Sequence, residues 1–231
     1  MPVTIAIGGS PSLYWYMTRA TGAVALLLLT VTLALGVVNA RRLKGPSVPR
    51  FLLADLHRYS SLLAVVFVAM HVLTTVLDGF APVSLLAAVL PFASAYRPLW
   101  LSLGTIAFDL TLALVLTSLL AGHLSHRAWR ATHWLAYACW PLALIHALGT
   151  GSDARQSWFL LVAVLCVALV ALAVLARVLR EPRLPARARA GALGALGAFL
   201  LFLVIWLPSG PLDRNWARRA GTPGVLLGHP K

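Results

Sequence analysis

Four histidines stand out as residues able to do chemistry. His57 and His71 lie fourteen residues apart in and around the apolar run "LHRYSSLLAVVFVAMHVL", and His133 and His146 lie thirteen apart in "THWLAYACWPLALIHALG". An imidazole among aliphatic side chains in a membrane needs a hydrogen-bond partner or a functional role. A helix rises about 1.5 Å per residue, so each interval separates its two rings by roughly 20 Å. If the two segments are parallel neighbours, the rings pair at two depths, His57 with His133 and His71 with His146. Such a pair can supply both axial ligands of a six-coordinate b-type heme and leave no position on the iron for substrate. Two hemes at two depths would make a path for electrons from one face to the other. The alternative for each ring is a hydrogen bond to another helix. Zinc fits poorly, because the levels are too far apart to share one ion and two histidines underfill its site.

The helical phase is uneven. Fourteen residues return to within about 40° of the same helix face, whereas thirteen land about 140° away. Pro141 lies between His133 and His146, and a proline kink is able to change the phase of the residues beyond it.

The elements that must position these rings are apolar. The chain is 60% hydrophobic and 11% charged, with a mean hydropathy of +0.87. A soluble domain carries about 25% charged residues. The expected fold is an all-α integral membrane protein, a six-transmembrane-helix bundle, with spans near 17–39, 57–78, 99–121, 132–149, 157–179 and 190–207. "PVSLLAAVLPF", between spans two and three, is too short to cross and reads as an interfacial or re-entrant piece. Residues 1–16 form an N-terminal segment without the basic start of a signal peptide, 17–208 the helical domain and 209–231 a basic tail. Tyr14, Trp15 and Tyr16 read as an interfacial aromatic belt.

The net charge of +13 reflects orientation rather than nucleic-acid binding. Arg41, Arg42, Lys44 and Arg50 lie between spans one and two, and Arg127 and Arg130 between three and four. Arg177, Arg180, Arg183, Arg187 and Arg189 lie between five and six, while the alternate links hold only Arg97 and Arg155. The arginine-rich links are therefore expected in the cytoplasm and both termini outside, in a multi-pass protein of the cytoplasmic membrane. The basic tail (Arg214, Arg218, Arg219, Lys231) runs against that rule. Arginine far outnumbers lysine, a bias seen in GC-rich bacterial genomes. Cys139 and Cys166 fall in different spans with no CxxC and read as small buried hydrophobes.

Other polar residues can be placed around this frame. Arg58, Arg127 and Arg130 sit near the inner level and could pair with heme propionates there, as Arg19 could at the outer level. Asp109 lies mid-span, where a carboxylate is a functional candidate. It is open to protonation, to pairing with Arg19 or to a proton path. His123 and His126 read as solvated or structural, with a propionate contact as the lesser reading, and His229 as solvated. Trp134, Trp140 and Phe67 read as packing against lipid or helices rather than porphyrin. Gly191, Gly194 and Gly197 suggest close helix packing.

The run "WRATHWLAYACWPLALIHALG" resembles the ferric reductase-like transmembrane domain, with Trp129, Arg130, His133, Tyr137 and His146 matching that family's pattern. The histidine spacings look like those of NADPH oxidases and ferric reductases. "TRATGAVALLLLTVTLAL" is similar to the first span of the bacterial MsrQ/YedZ type. The resemblance covers roughly residues 15 to 180. It implies heme b, two by the pairing and one in a single-heme variant, with His57, His71, His133 and His146 as axial ligands to heme iron. Many members continue into a flavin and nicotinamide domain, but this sequence has no GxGxxG after a strand. A separate cytosolic flavin reductase or a membrane quinol is then the expected donor. The expected acceptor is an extracytoplasmic flavoprotein, a repair reductase or ferric iron.

The leading expectation is thus the membrane subunit of a multi-protein reductase, with no nucleic-acid partner. Its rivals are a single-heme MsrQ-type subunit, a proton-coupled transporter using the histidines and Asp109, and a membrane assembly partner with no redox role.

Overall fold

The computed structural model describes residues 12–39, 50–79, 81, 83–180 and 185–227. Arg41, Arg42, Lys44, Arg183, His229 and Lys231, singled out above, lie outside them. Among the described residues the chain is helical, with no strand. The long helices are α1 (Leu13–Asn39), α2 (Arg50–Leu77), α4 (Pro98–Leu119), α7 (Ser157–Arg180) and α8 (Ala186–Ser209). These five are long and apolar enough to cross a membrane. Shorter pieces complete the order: α3 (Leu85–Val89), α5 (His126–His133), α6 (Ala136–Thr150), α9 (Trp216–Arg219) and a 3-10 turn at Gly224–Leu226.

The helix ends follow local chemistry. α1 starts behind Ser12, whose hydroxyl accepts the Trp15 N–H at 3.0 Å and donates to Asp78 at 2.8 Å. α5 starts behind Ser125, which caps the Ala128 N–H. α4 has Pro98 at its first position, where a missing N–H is harmless. The piece read as interfacial contains α3, held by the Thr105 hydroxyl donating to the Ala87 carbonyl at 2.9 Å.

The segment expected as one span near 132–149 is two helices. α5 ends at His133, and α6, fifteen residues long, begins at Ala136. Across the break, Leu135 N–H donates to Thr132 O, Tyr137 N–H to Trp134 O and Ala138 N–H to Leu135 O, each three residues back. Winding at three residues per turn advances each residue about 120° rather than 100°. Three such steps add about 60° and recover part of the phase lost over the thirteen-residue interval. Pro141 lies inside α6 without breaking it, so the adjustment occurs upstream of the proline.

α1 is the central strut, packed on α2, α6 and α7, while α4 packs on α6 and α3. A buried core joins α1, α6, α7 and α8 through Leu26, Leu144, Leu148, Phe159, Cys166 and Leu203. Both cysteines are free and buried. α8 leans chiefly on α7. Its Gly191, Gly194 and Gly197 meet nothing within 4 Å of where a Cβ would stand. The close approach expected of them is not made among the described residues.

Candidate functional site

The four histidines stand in two pairs. The rings of His57 and His133 have centroids 6.3 Å apart and planes at 71°, and those of His71 and His146 are 6.3 Å apart at 76°. α2 and α6 therefore run in the same direction, with imidazoles facing across a gap at two levels. The two levels are fourteen residues apart along α2, which is about 21 Å of helix.

Backbone carbonyls of flanking helices anchor three of the four rings. Nδ1 of His57 lies 3.0 Å from the Thr32 carbonyl and Nδ1 of His71 lies 2.9 Å from the Thr18 carbonyl, both on α1. Nδ1 of His146 lies 2.9 Å from the Trp100 carbonyl on α4. Carbonyls only accept, so each Nδ1 carries a proton, and Nε2 is the nitrogen turned to the gap and open to a ligand.

These helical carbonyls are reachable because a glycine stands four residues after each of them. Helical side chains cover the turn N-terminal to their own Cα, so the residue four later shields a carbonyl. Here those residues are Gly22 after Thr18, Gly36 after Thr32 and Gly104 after Trp100. A Cβ on Gly22 would stand 2.9 Å from the His71 ring, and one on Gly36 would stand 3.2 Å from His57. A Cβ on Gly104 would fall within the contact surface of His146.

His133 is held differently. Its ring stacks on Trp129 at 5.0 Å and 16°, and Trp129 stacks on His126 at 5.9 Å and 25°. Counting along α4 from Trp100 opposite His146, the position opposite His133 falls near Ala113. The residue four later is Thr117, whose hydroxyl donates to the Ala113 carbonyl at 2.6 Å.

A cavity of about 260 Å³ opens at the second level, lined by His71, His146, Gly22, Gly104, Arg19 and Phe108 among others. Nε and Nη2 of Arg19 donate to the two carboxylate oxygens of Asp153, and the guanidinium lies 3.8 Å over the Trp15 ring. The carboxylate partner of Arg19 is thus Asp153 in the α6–α7 loop, not Asp109. Asp109 is partly exposed on α4 and has no hydrogen bond or ion pair among the described residues. Arg58, Arg127 and Arg130 are exposed and form no ion pair among those residues, and His123 is exposed. Trp140 is buried, donates to the Thr30 hydroxyl at 2.8 Å and packs on Phe199. Trp134 is 61% exposed.

Each level thus presents two imidazole nitrogens. No cluster of three or more His, Cys, Asp or Glu side chains arranged for a metal ion occurs among the described residues. A metal held at either level would take two imidazole nitrogens from the protein and its other ligands from elsewhere. The glycines and carbonyls that fix the rings were not singled out from the sequence. One signal was present: Gly22 and Gly36 are fourteen apart, the same interval as His57 and His71.

A family model described as "Ferric reductase like transmembrane component" matches residues 21–144. The match includes His57, His71, His133 and the three ring-backing glycines, and stops two residues before His146. No curated protein and no solved structure matches the chain. With more than half its length inside that match and five helices fit to span a bilayer, this multi-pass membrane protein belongs to the ferric reductase-like transmembrane component family.

Proposed function

We propose that this chain is the transmembrane electron carrier of a multi-protein reductase and holds a heme b at each of two levels. The observation that carries the reading is the identical 6.3 Å spacing of the two imidazole pairs. A metal–imidazole bond of about 2.0 Å on each side, with about 1.1 Å from nitrogen to ring centre, adds to roughly 6.2 Å. The residues present therefore fit a porphyrin iron that the two imidazoles of each level would hold between them. When bound, each heme takes up or releases one electron at its iron.

The chain's own residues hold and orient. His57 and His133 serve one level, and His71 and His146 serve the other. The carbonyls of Thr18, Thr32 and Trp100 keep the Nδ1 protons in place and make the opposite nitrogens better donors. Arg58, Arg127 and Arg130 are assigned to propionates at the first level, and Arg19, shared with Asp153, at the second. α5 and α6 together make the fourth of six crossings. By the distribution of arginine, the His57–His133 level lies toward the cytoplasm and both termini lie outside a bacterial cytoplasmic membrane. A cytosolic flavin reductase or a quinol supplies electrons. An extracytoplasmic flavoprotein, a repair reductase or ferric iron receives them.

A single-heme version has one observation in its favour. The cavity and two ring-to-carbonyl contacts belong to the His71–His146 level, while the other level has one such contact. A dithionite-reduced minus oxidised spectrum of the purified protein, with heme per chain from a pyridine extract, separates these readings. Two hemes b per chain are expected. One heme lost with His71→Ala but kept with His57→Ala would select the single-site version. No heme from cells with ample heme supply would overturn the proposal and leave the histidines to hydrogen bonding or proton transfer.

A further inference from the structure

A second, smaller cavity of about 150 Å³ lies on the same face of the molecule as the His71–His146 level, sharing Gly151 and Ser152 with the larger one. Arg97, Arg155 and Arg214 line it, and Asp213 is the one acid among its lining residues. Asp213 is already engaged by Arg219 at 3.1 Å and by the Asn215 N–H at 2.6 Å. Asp153 nearby in sequence is consumed by Arg19. The cavity is thus lined by three arginines against the one carboxylate of Asp213, whose two contacts both use Oδ1, and the lining is net positive.

Arg97 is the unusual member. It is only 8% exposed, yet none of its partners is charged. Nε donates to the Thr222 hydroxyl at 2.9 Å, and Nη1 donates to the Gly149 and Thr150 carbonyls at 3.1 and 3.0 Å. Nη2 has no acceptor among the described residues. A buried guanidinium held by neutral oxygens, with its Cζ 5.4 Å from the centre of the Tyr96 ring, projects a positive potential into the adjoining cavity. Its backbone is also strained, with φ 41° and ψ 60°, a left-handed conformation that disfavours a residue bearing a Cβ. Such strain clusters at binding sites. Two helices begin at this place, α4 at Pro98 and α7 at Ser157, and their N-terminal ends add further positive potential.

We propose that Arg97, Arg155 and Arg214 form a binding site for a phosphate-class oxyanion. The cavity is smaller than the roughly 300–1,000 Å³ of sites for drug-sized ligands and is of a size for one such group. The anion comes either as free phosphate or as the phosphodiester of an anionic lipid headgroup, both available where spanning helices end. Arg97 supplies the buried charge and Arg155 and Arg214 the exposed rim. The site does not depend on a bound heme.

The test uses the full chain in neutral detergent and a double variant, Arg155→Gln with Arg214→Gln. Both positions are exposed, so the Arg97 clamp on α6 stays intact. Thermal unfolding is followed against sodium phosphate, with sodium chloride at equal ionic strength as reference. In parallel, native mass spectrometry counts phosphatidylglycerol retained after reconstitution in mixed phosphatidylglycerol and phosphatidylcholine vesicles. Phosphate-specific stabilisation weakened at least tenfold in the double variant identifies the free anion. Retained phosphatidylglycerol lost in the variant, without a phosphate response, identifies the headgroup. Identical behaviour of the native chain and the variant toward both probes overturns the proposal.

Discussion

The two histidine levels share one spacing but are built by different means. At the His71–His146 level both imidazoles reach a helix carbonyl, and both press against a glycine. At the His57–His133 level only His57 does so, while His133 relies on the stacked face of Trp129 at the end of a short, interrupted helix. Hydrogen bonds to Nδ1 fix both tautomer and ring direction, whereas a stacking contact fixes the plane and leaves the proton's position open. The His71–His146 level is preorganised by backbone, the His57–His133 level partly by a side chain. That difference teaches that equal geometry need not mean equal rigidity.

The largest expected effect comes from filling the glycine spaces. Overpacking costs about 1–3 kcal/mol, so on the proposed reading Gly104→Ala should reduce heme retained at the His71–His146 level at least tenfold. Gly22→Ala should reduce it less, and Gly36→Ala should change the other level by about twofold or less. The order tracks how closely each added Cβ would approach its imidazole. Heme per chain combined with a redox titration resolving two waves reads the series. Equal losses at all three positions would mean that the glycines only thin the helix surface.

A middle-sized effect is expected from the aromatic support. Aromatic stacking is worth about 0.5–1.5 kcal/mol beyond area burial. Trp129→Leu should therefore weaken heme retention at the His57–His133 level roughly two- to tenfold and leave the other level unchanged. A loss shared by both levels, seen in the same titration, would tie the two sites into one unit and erase the contrast.

The smallest change sharpens the comparison by imitation. Thr117→Gly frees the Ala113 carbonyl from the threonine hydroxyl and opens the helix surface as at the other three positions. If His133 then gains an acceptor, its donor strength rises and the midpoint of that level moves negative. The shift should be modest, and because threonine is itself a poor helix former the added glycine should cost only about 0.3 kcal/mol of helix stability. An unchanged midpoint would show that His133 lies out of reach of that carbonyl.

Much of this arrangement was readable in the chain. Long apolar runs marked the helices, and the intervals of fourteen and thirteen placed the four histidines on two segments of like direction. The break at Trp134–Leu135 was not readable, because local winding there answers to packing rather than to Pro141, the one residue that advertised a kink. Nor was the partner of Arg19, since Asp153 is 134 positions away and only the fold brings it near. Glycine misled in both directions. Gly191, Gly194 and Gly197 looked like a packing stripe and meet no neighbour among the described residues, whereas Gly22 and Gly36 looked ordinary and admit the imidazoles. A glycine has no side chain by which to announce its neighbour, so its meaning waits on the helix opposite.

The shared interval on α1 and α2 also bears on insertions. Thr18 and Gly22 serve His71, and Thr32 and Gly36 serve His57, so the two antiparallel helices carry one ruler read in opposite directions. Inserting one residue between the glycines would turn one of them about 100° away from its ring. No substitution at a single site repairs that, because the matching interval belongs to another helix. The interval between Gly22 and Gly36 is thus tied to the interval between His57 and His71, and neither helix can change its count without the other.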